Sequence, residues 1–473
     1  MGAPAKGGRL SPAFSALELL RNELLLFAAV GLLIGGIDDL LIDLIYIVRR
    51  CWRSLTVYSR IPRMNARSLP PPGAAGPIAV FVPAWDEAAV IEPMLRGCLA
   101  KWKGEQVRIF VGVYLNDRPT IEAVLNVATQ HPRHIQMVFN DDEGPTTKAD
   151  CLNHLWGALR RWEAAEGREM IAVVLHDAED VVHKDALRVI GLLAPRFALV
   201  QLPVLPLASA RSRWISGHYC DEFAEAHAKS LWVRELVGAA LPSAGVGCGF
   251  NRAALGSIAA ERNGKPFDAG SLTEDYELGL RVGEAGGRGI LVRMRDETGE
   301  LIATQEFFPD TLNAAIRQKA RWIVGIALAG WDRLGWSGGW REGWMRLRDR
   351  RSMLSALVIL IAYVAVLLSG PLGLATLLGG WQARPLPAPL PSLLLPTTAV
   401  LLWRLLVRMA FVWRAYGPGQ ALLSIPRNVM ANVIAIMAAR RAATLYLGHL
   451  RGQALAWDKT AHRFPDAAVP DAS

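Results

Sequence analysis

The apolar residues of this sequence are gathered into long runs near its two ends, and that placement constrains the fold more than any single motif. Residues 24–48, 353–381 and 393–413 are each long and apolar enough to cross a bilayer as a helix. The third run carries Arg404 and Arg408 in its second half, and the proline-rich stretch ARPLPAPLP separates it from the second. The first run starts too far into the chain, and extends too long, for a cleaved signal peptide, so it reads as an anchor. With 473 residues, 52% of them hydrophobic, the chain does not fit one ordinary soluble domain.

Basic residues orient these helices. Arg49, Arg50, Arg53, Arg60 and Arg63 follow the first run, and Arg341, Arg346, Arg348, Arg350 and Arg351 precede the second. The positive-inside rule then puts residues 54–345 on the cytoplasmic side, between an N-terminal region (1–53) and a pair of spans (346–418). The net charge of +9 comes mostly from these flanks and suits anionic lipid head groups. No nucleic-acid partner is expected, because the basic residues do not interleave with aromatics in a binding motif.

In the remainder, 419–473, the stretch 420–448 is apolar but interrupted by Arg427, Asn428, Asn432, Arg440 and Arg441. That pattern suits a helix lying in the interface, with a fourth span as the alternative. Asp38, Asp39 and Asp43 interrupt the first run. Either they face a bundle interior or the span ends before them; Asp39 and Asp43, one turn apart, share a helix face.

The middle segment has a different rhythm. PIAVFVPAWDE is a short apolar run closed by polar residues, as a buried parallel strand would be. A helix pattern follows in AAVIEPMLRGCLAKW, then come VRIFVGVYLND, HIQMVFND, a long helix through TKADCLNHLWGALRRWEAAEG, and MIAVVLHDAED. Alternation over about a hundred residues predicts an α/β domain with a mostly parallel sheet and helices on both faces. Five widely spaced cysteines without a CxxC pair argue against a disulfide framework or a structural zinc site.

Three of the predicted strands end in acids: Asp86 and Glu87, Asp117, and Asp177, Glu179 and Asp180. Ligands in such sheets bind beyond the C-terminal strand ends, and carboxylates crowded there repel one another unless a cation sits among them. Mg²⁺ is usually held by one or two carboxylates plus substrate phosphates, so a metal–diphosphate site is expected. No GxxxxGK[ST] loop and no GxGxxG after the first strand support P-loop or dinucleotide chemistry. Further on, GSLTEDYELGLRVGEAGG sets Thr273, Glu274 and Asp275 at the mouth of a helix. Taken alone, they read as capping residues and acids that complement the helix dipole.

In order, the motifs VPAWDE, YLNDRPT, TKADCLN, HDAED, VGCGFNR, LTED and RQKARWIVG run from about residue 78 to 325. Together they resemble a family-2 glycosyltransferase with a GT-A nucleotide-diphospho-sugar fold, of the membrane-integrated type that includes cellulose and hyaluronan synthases. The C-terminal AWDKTAHRFP resembles the inner-membrane phage-adsorption protein B group of these enzymes.

The resemblance implies roles residue by residue. Trp85 would stack on the uridine with Glu87 nearby, although Ala84 stands where the family usually has Thr. Asp117 matches a nucleotide-contacting acid, Lys148 a diphosphate contact and Asn153 its support. HDAED occupies the DxD position: Asp177 matches the first acid, and Glu179 replaces the second Asp, with Asp180 as the alternative ligand of Mg²⁺ or Mn²⁺. Cys248 and Gly249 would line the acceptor wall. Gln318, Arg321 and Trp322 form the Q-x-x-R-W pattern on one helix face and would meet acceptor and diphosphate. Asp275 matches the general base of the TED motif, with Glu274 beside it.

The implied enzyme sits in the bacterial inner membrane and moves a sugar from a UDP-sugar to a saccharide or lipid-linked acceptor, for envelope polysaccharide. An outer-membrane export or receptor protein is an allowed partner. Two other readings stay open: single-sugar transfer to a polyprenyl-linked lipid, and a docking component whose transferase domain has decayed, with Glu179 as its sign.

Overall fold

The computed structural model describes residues 11–378, 381–382, 384–453 and 463–465. The chain enters through α1 (Ser11–Thr56), a single helix longer than the run expected from the sequence. Then strand and helix alternate: β1 (Ile78–Pro83), α2 (Ile91–Lys101), β2 (Val107–Val113), α3 (Arg118–Ala128), β3 (Ile135–Phe139), α4 (Lys148–Glu166), β4 (Ala172–Leu175) and α5 (Ala186–Leu193). The second half is less regular: β5 (Leu199–Gln201), β6 (Val204–Pro206), α6 (Ile215–Glu225), α7 (Leu231–Leu236), β7 (Cys248–Asn251), α8 (Arg252–Ala260), α9 (Glu274–Glu284), β8 (Gly289–Leu291) and β9 (Thr304–Glu306). Beyond them come α10 (Leu312–Ile323), α11 (Ala329–Leu334), α12 (Trp340–Arg350), α13 (Ser352–Leu377), α14 (Pro389–Tyr416) and α15 (Pro418–Leu450).

Seven strands form one sheet in the order β3-β2-β1-β4-β7-β5-β8. Only β7 runs against the others, between β4 and β5. The period of two in each central strand explains its two-sided burial. In β1, Val80 and Val82 join the core under α2, α3 and α5, while Ala79 and Phe81 join the core under α4, α8 and α9. Each of these side chains is essentially inaccessible, and burying one stabilises the fold by about 1.5–3 kcal/mol. Gly249 in β7 lets α5 pack close, since a Cβ there would run into Ile190.

Four helices, α1, α13, α14 and α15, are long and apolar enough to cross a membrane. The sequence reading has three spans and takes 420–448 as an interfacial helix with a fourth span as the alternative; by length and composition α15 meets the same standard as the others. Its Ile434, Ala438 and Ala442 face is buried with residues of α6 and α10, and Leu422, Ile425 and Val429 are exposed on another. α13 also turns large apolar side chains outward, among them Leu354, Leu357, Val366 and Leu367. Surfaces of this kind are ordinarily covered by lipid or protein.

The three aspartates of α1 face protein. Asp38 and Asp39 meet Arg348 and Arg351 at the junction of α12 and α13, and Asp43 is held by Lys229 and by the Trp403 indole at 2.8 Å. Of the AWDKTAHRFP stretch, only residues 463–465 lie among the described residues; there Phe464 packs against the core beside α2, α3 and α5.

Candidate active site

Beyond the C-terminal ends of β1 and β4, a cleft is closed on its far side by α10 and by the start of α9. Trp85 and Glu87 reach it from the loop after β1, and Trp85 meets Tyr114 edge-on at 5.2 Å. Lys148 is the first residue of α4, whose start is capped by Thr147 accepting the Asp150 N–H at 3.2 Å. Its ammonium pairs with Asp177 at 2.5 Å. Burial alone would depress Lys148, but Asp177, Glu274 and Asp275 outweigh it and hold the lysine firmly protonated.

Glu274 and Asp275 are the first two residues of α9. Thr273 stands at the cap position without a side-chain capping bond, and the Asp275 carboxylate accepts the neighbouring Tyr276 N–H at 2.8 Å. The acids therefore lie in the first turn of the helix rather than at its cap position, which Thr273 occupies. Burial lifts both carboxyls above their usual range, Glu274 to about 7, with Asp275 adding to the lift on Glu274 and Lys148 opposing it. Gly245, at φ +79°, packs so close to Asp275 that a Cβ would strike its carboxylate. Deeper in α9, Glu277 accepts from Ser271 at 2.6 Å and pairs with Arg333 of α11, fixing the helix start.

From α10, Gln318, Arg321 and Trp322 all line the cleft. The Gln318 Oε1 and Arg321 Nε are buried without a hydrogen-bond partner among the described residues. Buried polar atoms are normally satisfied, so this pair points to a missing polar ligand. Lys319, between them, turns away to Glu222.

Several expected residues sit elsewhere. Asp180 points inward: its Oδ2 takes His176 Nδ1 at 2.6 Å and the Asp177 N–H at 3.2 Å, and it does not line the cleft. Burial, which also depresses His176 to about 4, keeps that imidazole neutral. Glu179 does line the cleft, so of the two candidate partners for Asp177 it is the one in position.

Asp117 is buried and caps α3, and its other oxygen accepts the Asp86 N–H at 2.6 Å, so it shapes the β1 loop rather than the cleft lining. Asn153 clamps the Phe267 backbone through both amide atoms, at 2.9 and 3.1 Å. Cys248 and Gly249 are interior residues of β7, behind the wall; Ala244 and Val246 stand at the surface expected of them. Burial pushes the Cys248 thiol up to about 12, as for an inert core cysteine.

Tyr114, Phe223, Glu306 and Phe308 also line the cleft and were missed by the sequence reading. Glu306 ends a three-residue strand, too short to leave a periodic signal. Tyr114 could have been found, since it opens the YLNDRPT motif that holds Asp117.

The donor set suits a divalent cation with a diphosphate: Asp177 and Glu179 offer two carboxylates, and Lys148 and Arg321 offer cationic donors. A separate cluster, His183, Asp296 and Glu300, has metal-ligand spacing but lies outside this cleft.

The sequence profile described as glycosyltransferase like family 2 matches residues 74–325. Bacteriophage adsorption protein B of Escherichia coli strain K12 is 37% identical over 463 residues, covering 92% of this chain and 61% of that protein. Bacteriophage N4 adsorption protein B of Escherichia coli O157:H7 matches to the same extent. The chain thus spans about three-fifths of the length of the curated relatives it matches. Among solved structures, a mannosyltransferase from Pyrobaculum calidifontis, in complex with GDP-Man and Mn²⁺, superposes with a TM-score of 0.51 at 17% identity. That match covers 87% of this chain and 99% of the other, and it shows a shared GT-A fold.

Proposed function

The chain belongs to the glycosyltransferase like family 2, and from that premise we propose an inverting enzyme that moves a sugar from a UDP-sugar to an acceptor hydroxyl. The observation that carries this reading is the convergence of Asp177, Lys148, Asp275 and the Gln318–Arg321–Trp322 face on one cleft. Trp85 is the surface for the uracil ring. Lys148 and Arg321 neutralise the diphosphate, and a Mg²⁺ or Mn²⁺ ion held by Asp177 and Glu179 would supply further charge stabilisation to the leaving group.

Asp275 takes the proton of the acceptor hydroxyl. Its burial-raised basicity favours that role, because a general base works best when its pKa approaches the working pH. The oxygen so activated attacks the anomeric carbon from the face opposite UDP, which inverts the centre. Phe223, Phe308 and Trp322 offer the aromatic surfaces on which sugar rings stack.

The reading extends to location: the bacterial inner membrane, with the cleft on the cytoplasmic side and an envelope saccharide as product. The purified full chain, given a panel of UDP-sugars and GDP-sugars, should release UDP from at least one of them in an acceptor-dependent way. Release from none would leave the transferase reading without support. Release of GDP alone would move the donor to another nucleotide. Sidedness is tested in intact cells: Ala388→Cys should label with a membrane-impermeant thiol reagent and Ser68→Cys should not.

A further inference from the structure

A second and larger cavity, about 1380 Å³, lies where the ends of α1 and α14 meet the flank of the globular domain. Six arginines line it: Arg50 and Arg53 on α1, Arg63 beyond it, Arg293 and Arg295 after β8, and Arg414 on α14. None of the six has a carboxylate within ion-pair distance among the described residues. The contacts they do make leave their charge uncompensated. Arg50 donates to the Tyr46 hydroxyl at 2.8 Å, Arg53 and Arg63 lie over the Tyr58 ring at 5.3 and 4.3 Å, and Arg293 donates to the His227 carbonyl at 2.9 Å. Other arginines behave differently: Arg404 and Arg408 on α14, and Arg348 and Arg351 at the junction of α12 and α13, all pair with acids.

Glu235, Asp296 and Glu300 also line the cavity; burial raises the Glu235 carboxyl, and Arg53 acts against that from beyond ion-pair distance. Glu235 accepts the Leu291 N–H, and Asp296 is turned onto Thr298 and the Glu300 backbone. Burial holds Arg293 below its ordinary range; Tyr46 opposes this, and Arg295 and Arg50 add to it. The wall on the membrane-helix side is aromatic: Tyr46 packs edge-on against Trp232 and against Phe411, each at 5.5 Å. A cationic floor beside an aromatic wall, at the level where two membrane-competent helices end, fits an amphiphile with an anionic head.

We infer that this cavity binds the phosphorylated head group of a membrane lipid, with the lipid chain lying in the bilayer beside α1 and α14. Bidentate guanidinium–phosphate contacts are the chemistry that recognises it. Val204 and Phe223 line both this cavity and the catalytic cleft, so the head group sits one side chain away from the donor site. The binding stands independently of the transfer reaction, because none of the six arginines lines the cleft.

The full chain in neutral detergent can be titrated with short-chain phosphatidic acid, with the matching diacylglycerol and with inorganic phosphate, following Trp232 and its neighbours by intrinsic fluorescence and binding by thermophoresis. Phosphatidic acid should bind saturably, diacylglycerol should not, and inorganic phosphate should compete only at far higher concentration. The triple variant Arg50→Gln/Arg53→Gln/Arg414→Gln should bind phosphatidic acid about 100-fold more weakly, at about tenfold or less per arginine near a charged surface. Its unfolding temperature should hold, since no ion pair is lost. Arg293→Gln/Arg295→Gln tests the opposite wall and should weaken binding likewise. Unchanged affinity in the triple variant overturns the proposal, as does equal binding of diacylglycerol. Inorganic phosphate binding as tightly as phosphatidic acid would make this a site for soluble phosphates and reject the lipid.

Discussion

The catalytic cleft and the seam between the long apolar helices and the globular domain are both rich in buried acids, and they differ in how those acids are satisfied. At the seam five buried or half-buried acids have cations. Asp38 and Asp39 have Arg348 and Arg351, Asp43 has Lys229, Glu225 has Lys229, Arg404 and Arg408, and Asp221 has Arg427 at 2.6 Å. At the cleft Asp177 has Lys148. Glu274 and Asp275 have no cation within ion-pair distance among the described residues, while the buried Gln318 Oε1 and Arg321 Nε go unpartnered. Charges taken out of water are costly unless paired. A closed set of pairs therefore marks a seam built to hold, and an open set marks a place that a ligand completes.

The comparison is broken most forcefully at the open site. If a divalent cation completes it, EDTA should abolish sugar-dependent UDP release and Mg²⁺ or Mn²⁺ should restore it; full turnover in EDTA would remove the metal from the mechanism. Asp275→Asn comes next. The amide oxygen can still accept the Tyr276 N–H, so the helix start should survive, but the variant cannot take a proton. Transfer should fall about 10²–10⁴-fold while UDP binding persists. Near-normal turnover would put the base elsewhere.

At the closed site the same kind of change should act on stability instead. Lys229 and Asp43 are both essentially inaccessible, and Lys229→Met strands Asp43 and part of Glu225. Breaking a buried pair this way costs about 3–5 kcal/mol. Thermal unfolding in detergent should show it, and Lys229→Met/Asp43→Asn should recover part of the loss. A Lys229→Met protein as stable as the parent would mean that water reaches the seam.

The two regions were also unequally legible in the sequence. The parallel sheet and the acids at its edge could be read because a strand end fixes a residue's height, and Asp177, Glu179 and Lys148 all lie at that height. Orientation was harder to read. Asp180 turns inward to His176, Asp117 reaches across to the loop after β1, and Cys248 pairs within the sheet, none of which spacing alone reveals. The Thr273–Asp275 ambiguity needed the backbone, since capping depends on φ and ψ at one residue. The seam was least legible of all. Arg427 looked like an interruption of an apolar helix because its partner Asp221 lies 206 positions earlier, and no local pattern carries pairing over that distance.

The smallest expected effect tests how much of the open site is prepared by its supporting structure. Thr147 caps α4 through the Asp150 N–H, and Lys148 is the next residue. Thr147→Ala should cost about 1 kcal/mol of stability, the usual worth of such a cap. If the first turn of α4 then frays, donor binding must reorder it, and UDP affinity should drop by at most about fivefold, the equivalent of that same free energy. The transfer rate at saturating donor should stay put, because the bound state is unchanged. Lys148→Met gives the scale, since it removes the cation altogether. Equal UDP affinity in Thr147→Ala and the parent would mean that the ion pair with Asp177 alone positions the lysine. A loss as large as that of Lys148→Met would mean that the helix start, and not Asp177, holds the lysine in place, and the cleft would then owe its readiness to the capped helix.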